Sequence, residues 1–196
     1  MTNADHVVVV TPTSIVEVPP SPEEVERGEG KIGRTATFTV DQVLWSADTP
    51  EKGAPTNFKM PVAGWQFTDG DTNKRTELAL HDQPRIESGH SYIVTIDWVE
   101  QYCEPGDNDY IAAHWDGLGS DSVIPFDGGV IGQGELEGGK QSVKQARGAI
   151  AADDPDYSLE DEMAGKGSDA LTAELLEASP EPARAAPESM ESTDCG

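Results

Sequence analysis

The segment Gly134-Glu-Leu-Glu-Gly-Gly-Lys140 comes within one residue of a phosphate-binding P-loop. Such a loop needs Ser or Thr directly after its lysine, because that hydroxyl oxygen ligates Mg²⁺. Here Gln141 follows Lys140, and Ser142 stands one residue late. Glu135 and Glu137 also set negative charge where phosphate would sit. The segment therefore reads as a flexible connector from a folded body to a tail.

Asp69, Asp71 and Asn73 occupy the first, third and fifth positions of a possible calcium loop. An EF-hand then requires Gly at the sixth position and a bidentate Glu at the twelfth, but this chain has Lys74 and Leu80. A solvated hairpin turn is the first reading and a weak, non-EF cation site the second. The residues imply no other metal and no cofactor. His6, His81, His90 and His114 lack a His or Cys partner one helical turn away, so the spacing of a zinc site is missing.

His114, with Trp115 and Asp116 beside it and Ser120 and Ser122 nearby, has the residue types of a hydrolytic site. There is no G-x-S-x-G elbow, and sequence neighbours rarely form a triad, so ordinary loop residues are the simpler reading. Cys103 stands next to Glu104, and acidic neighbours disfavour the thiolate that a nucleophile needs. Cys103 and Cys195 are the chain's two cysteines. They form either one disulfide tying the tail to the body or two free thiols. Trp45 and Trp98 fall on apolar strand faces and read as core. Trp65 and Trp115 lie beside glycines at strand ends, where aromatics line binding surfaces. With Tyr102 and His114 they make up the candidate binding residues.

The elements that would position these groups are mostly strands. Val7–Val10 is a β-branched run, and Ser14–Val18 continues it past Pro12. After Pro19-Pro20, Ser21-Pro-Glu-Glu24 reads as a helix start with Ser21 as N-cap, Pro22 at the first turn and Glu24 closing a capping box. Ala36, Phe38 and Val40 alternate with threonines as a half-buried strand requires. Val43 and Trp45 continue the apolar face one residue out of phase, which a β-bulge near Asp41-Gln42 would reconcile. Further strands are expected over Asn57–Phe67, Arg75–Leu80, Tyr92–Trp98, Ser122–Phe126 and Gly129–Ile131. In the clearest of them, Tyr92, Val94, Ile96 and Trp98 share a face. From residue 148 onward acidic side chains far outnumber basic ones. Ser158–Asp161 and Ser168–Ala178, the latter with Leu171, Leu175 and Leu176 at helical spacing, could form short helices; from Ser179 the composition fits disorder.

Thirteen Lys and Arg oppose 37 Asp and Glu, a formal net charge of −24. That balance works against a polyanionic partner, and the sequence shows no basic patch for phosphate contacts. No window reaches the roughly 18 apolar residues of a membrane span. Met1-Thr-Asn-Ala-Asp5 lacks the basic start and apolar core of a signal peptide, so the expected location is the cytoplasm. Removal of an export signal would make it the cell envelope or the exterior.

Three stretches carry a resemblance to known proteins: Arg34–Trp45, Pro84–Thr95 and Val123–Val130. Their strand-and-turn order resembles an OB-like β-barrel of bacterial envelope proteins, in particular a group of uncharacterised actinobacterial proteins usually made with an export signal. The resemblance implies a fold and an envelope location and brings no catalytic residues. The expected architecture is all-β. Residues 1–33 form a strand and short helix packed on a small antiparallel OB-like barrel at 34–135, and residues 136–196 form an acidic, partly helical or disordered tail. The expected function is non-enzymatic binding or interaction with a protein partner. The alternatives are a hydrolase with a loop-borne site near His114, or an acidic mimic of nucleic acid.

Overall fold

The computed structural model describes residues 4–103, 110–118, 122–148 and 159–178. In chain order the elements begin with β1 (His6–Val18), α1 (Pro22–Arg27), β2 (Gly30–Ser46), β3 (Asn57–Phe67), β4 (Arg75–Glu77) and β5 (Tyr92–Val99). They continue with β6 (Tyr102–Cys103), β7 (Tyr110–Ile111), β8 (His114–Gly117), β9 (Val123–Pro125), β10 (Gly134–Leu136) and β11 (Gly139–Gln141). Three helices follow: α2 (Val143–Ala146), α3 (Leu159–Met163) and α4 (Ser168–Glu177).

The main sheet is antiparallel in the order β4-β3-β2-β1-β5-β8, with β9 sharing the β8 edge of β5. It curls into a half-barrel. The closed barrel expected from the sequence is not reached among the described residues, where β4 and β8 end the strand order with no ladder between them. These end strands are short: β4 lasts 3 residues and β8 lasts 4. β1 is the central strand, held by β2 on one side and β5 on the other, rather than an addition packed onto the sheet.

The Val7–Val10 run alternates between two cores. Val8 and Val10 face the inner core with Ala36, Phe38, Tyr92, Val94 and Ile96. Val7 and Val9 face a second core on the opposite side with Leu44, Ile93, Ile124 and Ile131. A strand buried on both faces needs a continuous apolar run, which is why these four valines do not alternate with polar residues. The second core exists because the C-terminal helices cover it: Met163, Leu171 and Leu175 pack there. Each such leucine contributes about 2 kcal/mol of burial. The Ser168–Ala178 segment is thus a docked layer, tied further by Ile131 N–H to the Lys166 carbonyl and Gly165 N–H to the Ile131 carbonyl.

The bulge is where the phase slip demanded it. Val9 pairs with Gln42 and Val10 with Val40, so Asp41 is the extra residue. Its carboxylate accepts the Thr11 hydroxyl at 2.7 Å. A second shift follows, since Val7 pairs with Trp45 and Val8 with Val43. Leu44 is thereby buried and Val43 is exposed, opposite to the simple alternation. The helix start at Ser21 forms as α1, with Ser21 capping Glu24 N–H and Glu24 returning a bond to Ser21 N–H. Asn57–Phe67 runs as one strand through Pro61 and Gly64. A Cβ at Gly64 would overlap the Ile32 carbonyl, so only glycine permits the close approach of β3 to β2 there.

Candidate functional site

The near-P-loop is neither a phosphate cradle nor a connector. Glu137 and Gly138 both have positive φ, 52° and 79°, and turn the chain between β10 and β11. That is the pair of left-handed residues a tight primed hairpin requires. Ser142, misplaced for Mg²⁺, instead caps α2 through a capping box with Gln145.

The hairpin aims Glu135 into the protein, where it is 2% exposed. Its carboxylate accepts Arg85 N–H at 3.0 Å, Ile86 N–H at 3.1 Å, Gly138 N–H at 2.7 Å and the Tyr92 hydroxyl at 3.0 Å. Two of those donors belong to a strained turn. Ile86 has φ 61°, a left-handed conformation that β-branched residues resist. Glu135 holds it there, and the turn in turn places the Arg85 side chain.

Arg85 meets Arg34 and Trp65 in a cleft of about 430 Å³, lined also by Ile15, Glu17, Glu77, Glu87 and Ser88. Arg34 stands at an inward position of β2, one alternation before Ala36 and Phe38. Its Nε donates to the Ala63 carbonyl at 2.6 Å and its Nη2 to the Arg85 carbonyl at 2.5 Å. Burial pulls the Arg34 guanidinium below its usual pKa, Glu87 works in the opposite sense, and Arg85 adds to the lowering. One oxygen of Glu87, Oε1, takes both Arg34 Nη1, at 3.2 Å, and Arg85 Nη1. Arg85 Nη2 donates to the Gly64 carbonyl at 3.2 Å and lies 3.8 Å from Glu77 Oε1. The Arg85 side chain is 4% exposed, and its Nε has no hydrogen-bond partner.

Trp65 is the platform. The guanidinium carbons of Arg75, Arg85 and Arg34 lie 4.1, 5.1 and 5.5 Å from its ring centre. Arg75 on β4 also grips Glu17 on β1 through two bonds of 2.9 Å each. β4 and β1 are separated by β3 and β2 in the sheet, so the pair reaches across only because the sheet curls. It forms a clasp over the cleft rim, and the bond from Arg75 holds the Glu17 carboxyl below its ordinary pKa.

Of the other sequence candidates, none joins Trp65 in this cleft. Trp115 is buried in the inner core, 5.3 Å from Trp98 in an edge-to-face contact. Tyr102 belongs to the separate β6–β7 ribbon. His114 Nδ1 bonds the Ala112 carbonyl at 2.8 Å, Ser122 is buried under Gly117, and Ser120 lies outside the described residues. No hydrolytic constellation forms there among the described residues. Asp71 Oδ1 is taken by the backbone and side-chain amides of Asn73, at 3.0 and 3.2 Å, within the turn that also contains Asp69. Cys103 is buried, and Cys195 lies outside the described residues. A bridge between them predicts a non-reduced mass about 2 Da below the reduced one; equal masses would discard it.

Sequence reasoning missed Arg34, Arg85 and Glu135. Arg34 carried a signal, a charge in the inward phase of an apolar alternation. Arg85 and Glu135 carried none, since a turn and a hairpin distant in sequence bring them together. Comparison of the chain with protein-family models, curated proteins and solved structures found no match. No helix among the described residues is long and apolar enough to cross a membrane.

Proposed function

We propose that the chain is a non-enzymatic binding module of OB-like half-barrel form, with its ligand seat in the arginine–tryptophan cleft. One observation carries this reading: three guanidinium groups, Arg34, Arg75 and Arg85, gather at the Trp65 indole beside an open cleft of about 430 Å³. The indole and Ile15 offer apolar contact, and the guanidinium fixes orientation, the usual division of labour in small-molecule sites. Nothing in the cleft pairs a nucleophile with a base, so binding is the better reading than turnover.

The test follows the Trp65 indole N–H and the Arg85 Nε–H by nuclear magnetic resonance. A panel of carboxylates, amines, zwitterions and neutral sugars is titrated into the full chain. At least one class is expected to shift both signals, with the affinity altered by Arg75→Gln on the exposed rim. A panel that leaves both signals unmoved overturns the assignment.

A further inference from the structure

β5 covers only part of β1. It pairs with His6–Val10 and stops, whereas β1 runs on to Val18 with β2 alone beside it. The chain just before β5 does not continue the ladder. Ser91 gives its N–H to Asp127 Oδ1, its carbonyl accepts Phe126 N–H, and Gly89, at φ 87°, turns the segment away. Pro12 and the register shift between Pro12 and Ser14 lie just past the end of the pairing. From Ser14 to Val18 that edge of β1 carries no strand among the described residues. Ser14, Val16, Glu17 and Val18 are exposed. Every second residue of such an edge presents an N–H and a C=O with no ladder partner, a template for an extended segment.

The same edge is one wall of the cleft, through Ile15 and Glu17. A strand laid along it puts alternate side chains over the cleft and the others beside Val16 and Val18 on the opposite face. The lining decides the charge of the first set. The Arg34 and Arg85 side chains are 3% and 4% exposed and share one oxygen of Glu87, while Arg75 holds Glu17. The carboxylates stand further out: Glu77 is 66% exposed, Glu17 50% and Glu87 34%. Gly138 N–H is taken by Glu135. Ser88 and the Trp65 indole N–H are neutral and suit the peptide groups of any strand, so they do not set its charge. An incoming side chain therefore meets acid before base. The net charge of −24 draws the same class of partner from a distance and opposes a second copy of this chain in that place.

Resting on the reading of the cleft as a ligand seat, we infer that its ligand is an extended segment of a basic protein, added as a strand to Ser14–Val18. Its Lys or Arg side chains lie over Glu17, Glu77 and Glu87, and its apolar ones lie against Val16 and Val18. The test is titration of three synthetic peptides into the full chain at neutral pH and low salt, followed by calorimetry and amide hydrogen exchange. They are acetyl-Lys-Val-Lys-Val-Lys-amide, its counterpart with Glu in place of Lys, and the basic peptide with every residue N-methylated. The basic peptide is expected to bind at least about tenfold more tightly than either of the others. It is also expected to slow exchange within Ser14–Val18. Glu77→Gln, at an exposed site, is expected to weaken it by about threefold. Equal binding of the acidic peptide overturns the basic partner, and equal binding of the methylated one overturns strand addition. Slowed exchange at Ser14–Val18 that grows with protein concentration and needs no peptide gives the edge to a second copy and overturns the inference. So does a basic peptide that fails to bind, while the small-molecule panel above decides separately whether the cleft binds anything.

Discussion

Glu135 and Tyr92 set the terms at the residue scale. Glu135→Gln puts an amide N–H against donors that need an acceptor, so a loss of about 2 kcal/mol is expected in urea denaturation. Burial pushes the Tyr92 phenol far above its ordinary pKa; the Glu135 charge adds to the rise and a bond at the Glu87 backbone opposes it. The unfolded chain ionises this phenol near pH 10 or so, whereas the folded protein keeps it neutral. The contribution of Tyr92 is therefore complete below that pH and lost as the pH rises beyond it, at up to about 1.4 kcal/mol per pH unit. Stability measured from pH 8 to 12 is expected to fall less steeply in Tyr92→Phe than in the parent; parallel curves would refute the assignment. These two residues show the limit of reading single positions. Tyr92 was legible as core from the alternation in β5, but its hydroxyl partner lies 43 residues away on a hairpin. Glu135 lay in a glycine-rich stretch that suggested freedom, and no local pattern announces a carboxylate folded inward.

At the scale of elements, period and phase were informative. The break between Val40 and Val43 located the Asp41 bulge, because side-chain alternation leaves no other way to keep both halves paired. The second shift at Leu44 was invisible, since either phase of Val43-Leu-Trp45 is apolar. The β5 pattern gave its inner face; its outer face, where Ile93 joins the second core with Leu171 and Leu175, depends on helices some 75 residues later. Those helices make the strongest prediction here. Leu171 is 0% exposed in the second core, and Leu171→Ala is expected to cost about 2–5 kcal/mol. Leu176, 72% exposed on the same helix, serves as the control, and its alanine variant is expected to leave the denaturation midpoint unmoved. If both variants behave alike, α4 is not packed as described.

For the molecule as a whole, charge dominates. At −24 the chain repels itself, and the few cations are placed where they do most. Arg34, Arg75 and Arg85 gather at one tryptophan instead of being spread over the acidic surface. Raising sodium chloride from about 0.01 M to about 1 M shortens the screening length tenfold and is expected to raise the thermal midpoint. A falling midpoint would mean that exposed pairs such as Arg75–Glu17 outweigh the general repulsion. Composition made the acidity plain and excluded polyanion binding as an expectation, but the clustering of three arginines needed the curl of the sheet to be seen.

The position of β1 has a consequence for synthesis. As the nascent chain leaves the ribosome, β1 and β2 can pair as a local hairpin, yet the other edge of β1 waits for β5, more than 80 residues later in the sequence. Until then four consecutive valines sit on an unpaired edge, the kind of segment that recruits foreign strands. The outer side of that strand stays wet until Leu171 and Leu175 have been translated. Folding is therefore expected to finish only after α4 has been made, and chains truncated before residue 168 are expected to collect in inclusion bodies rather than as half-built domains.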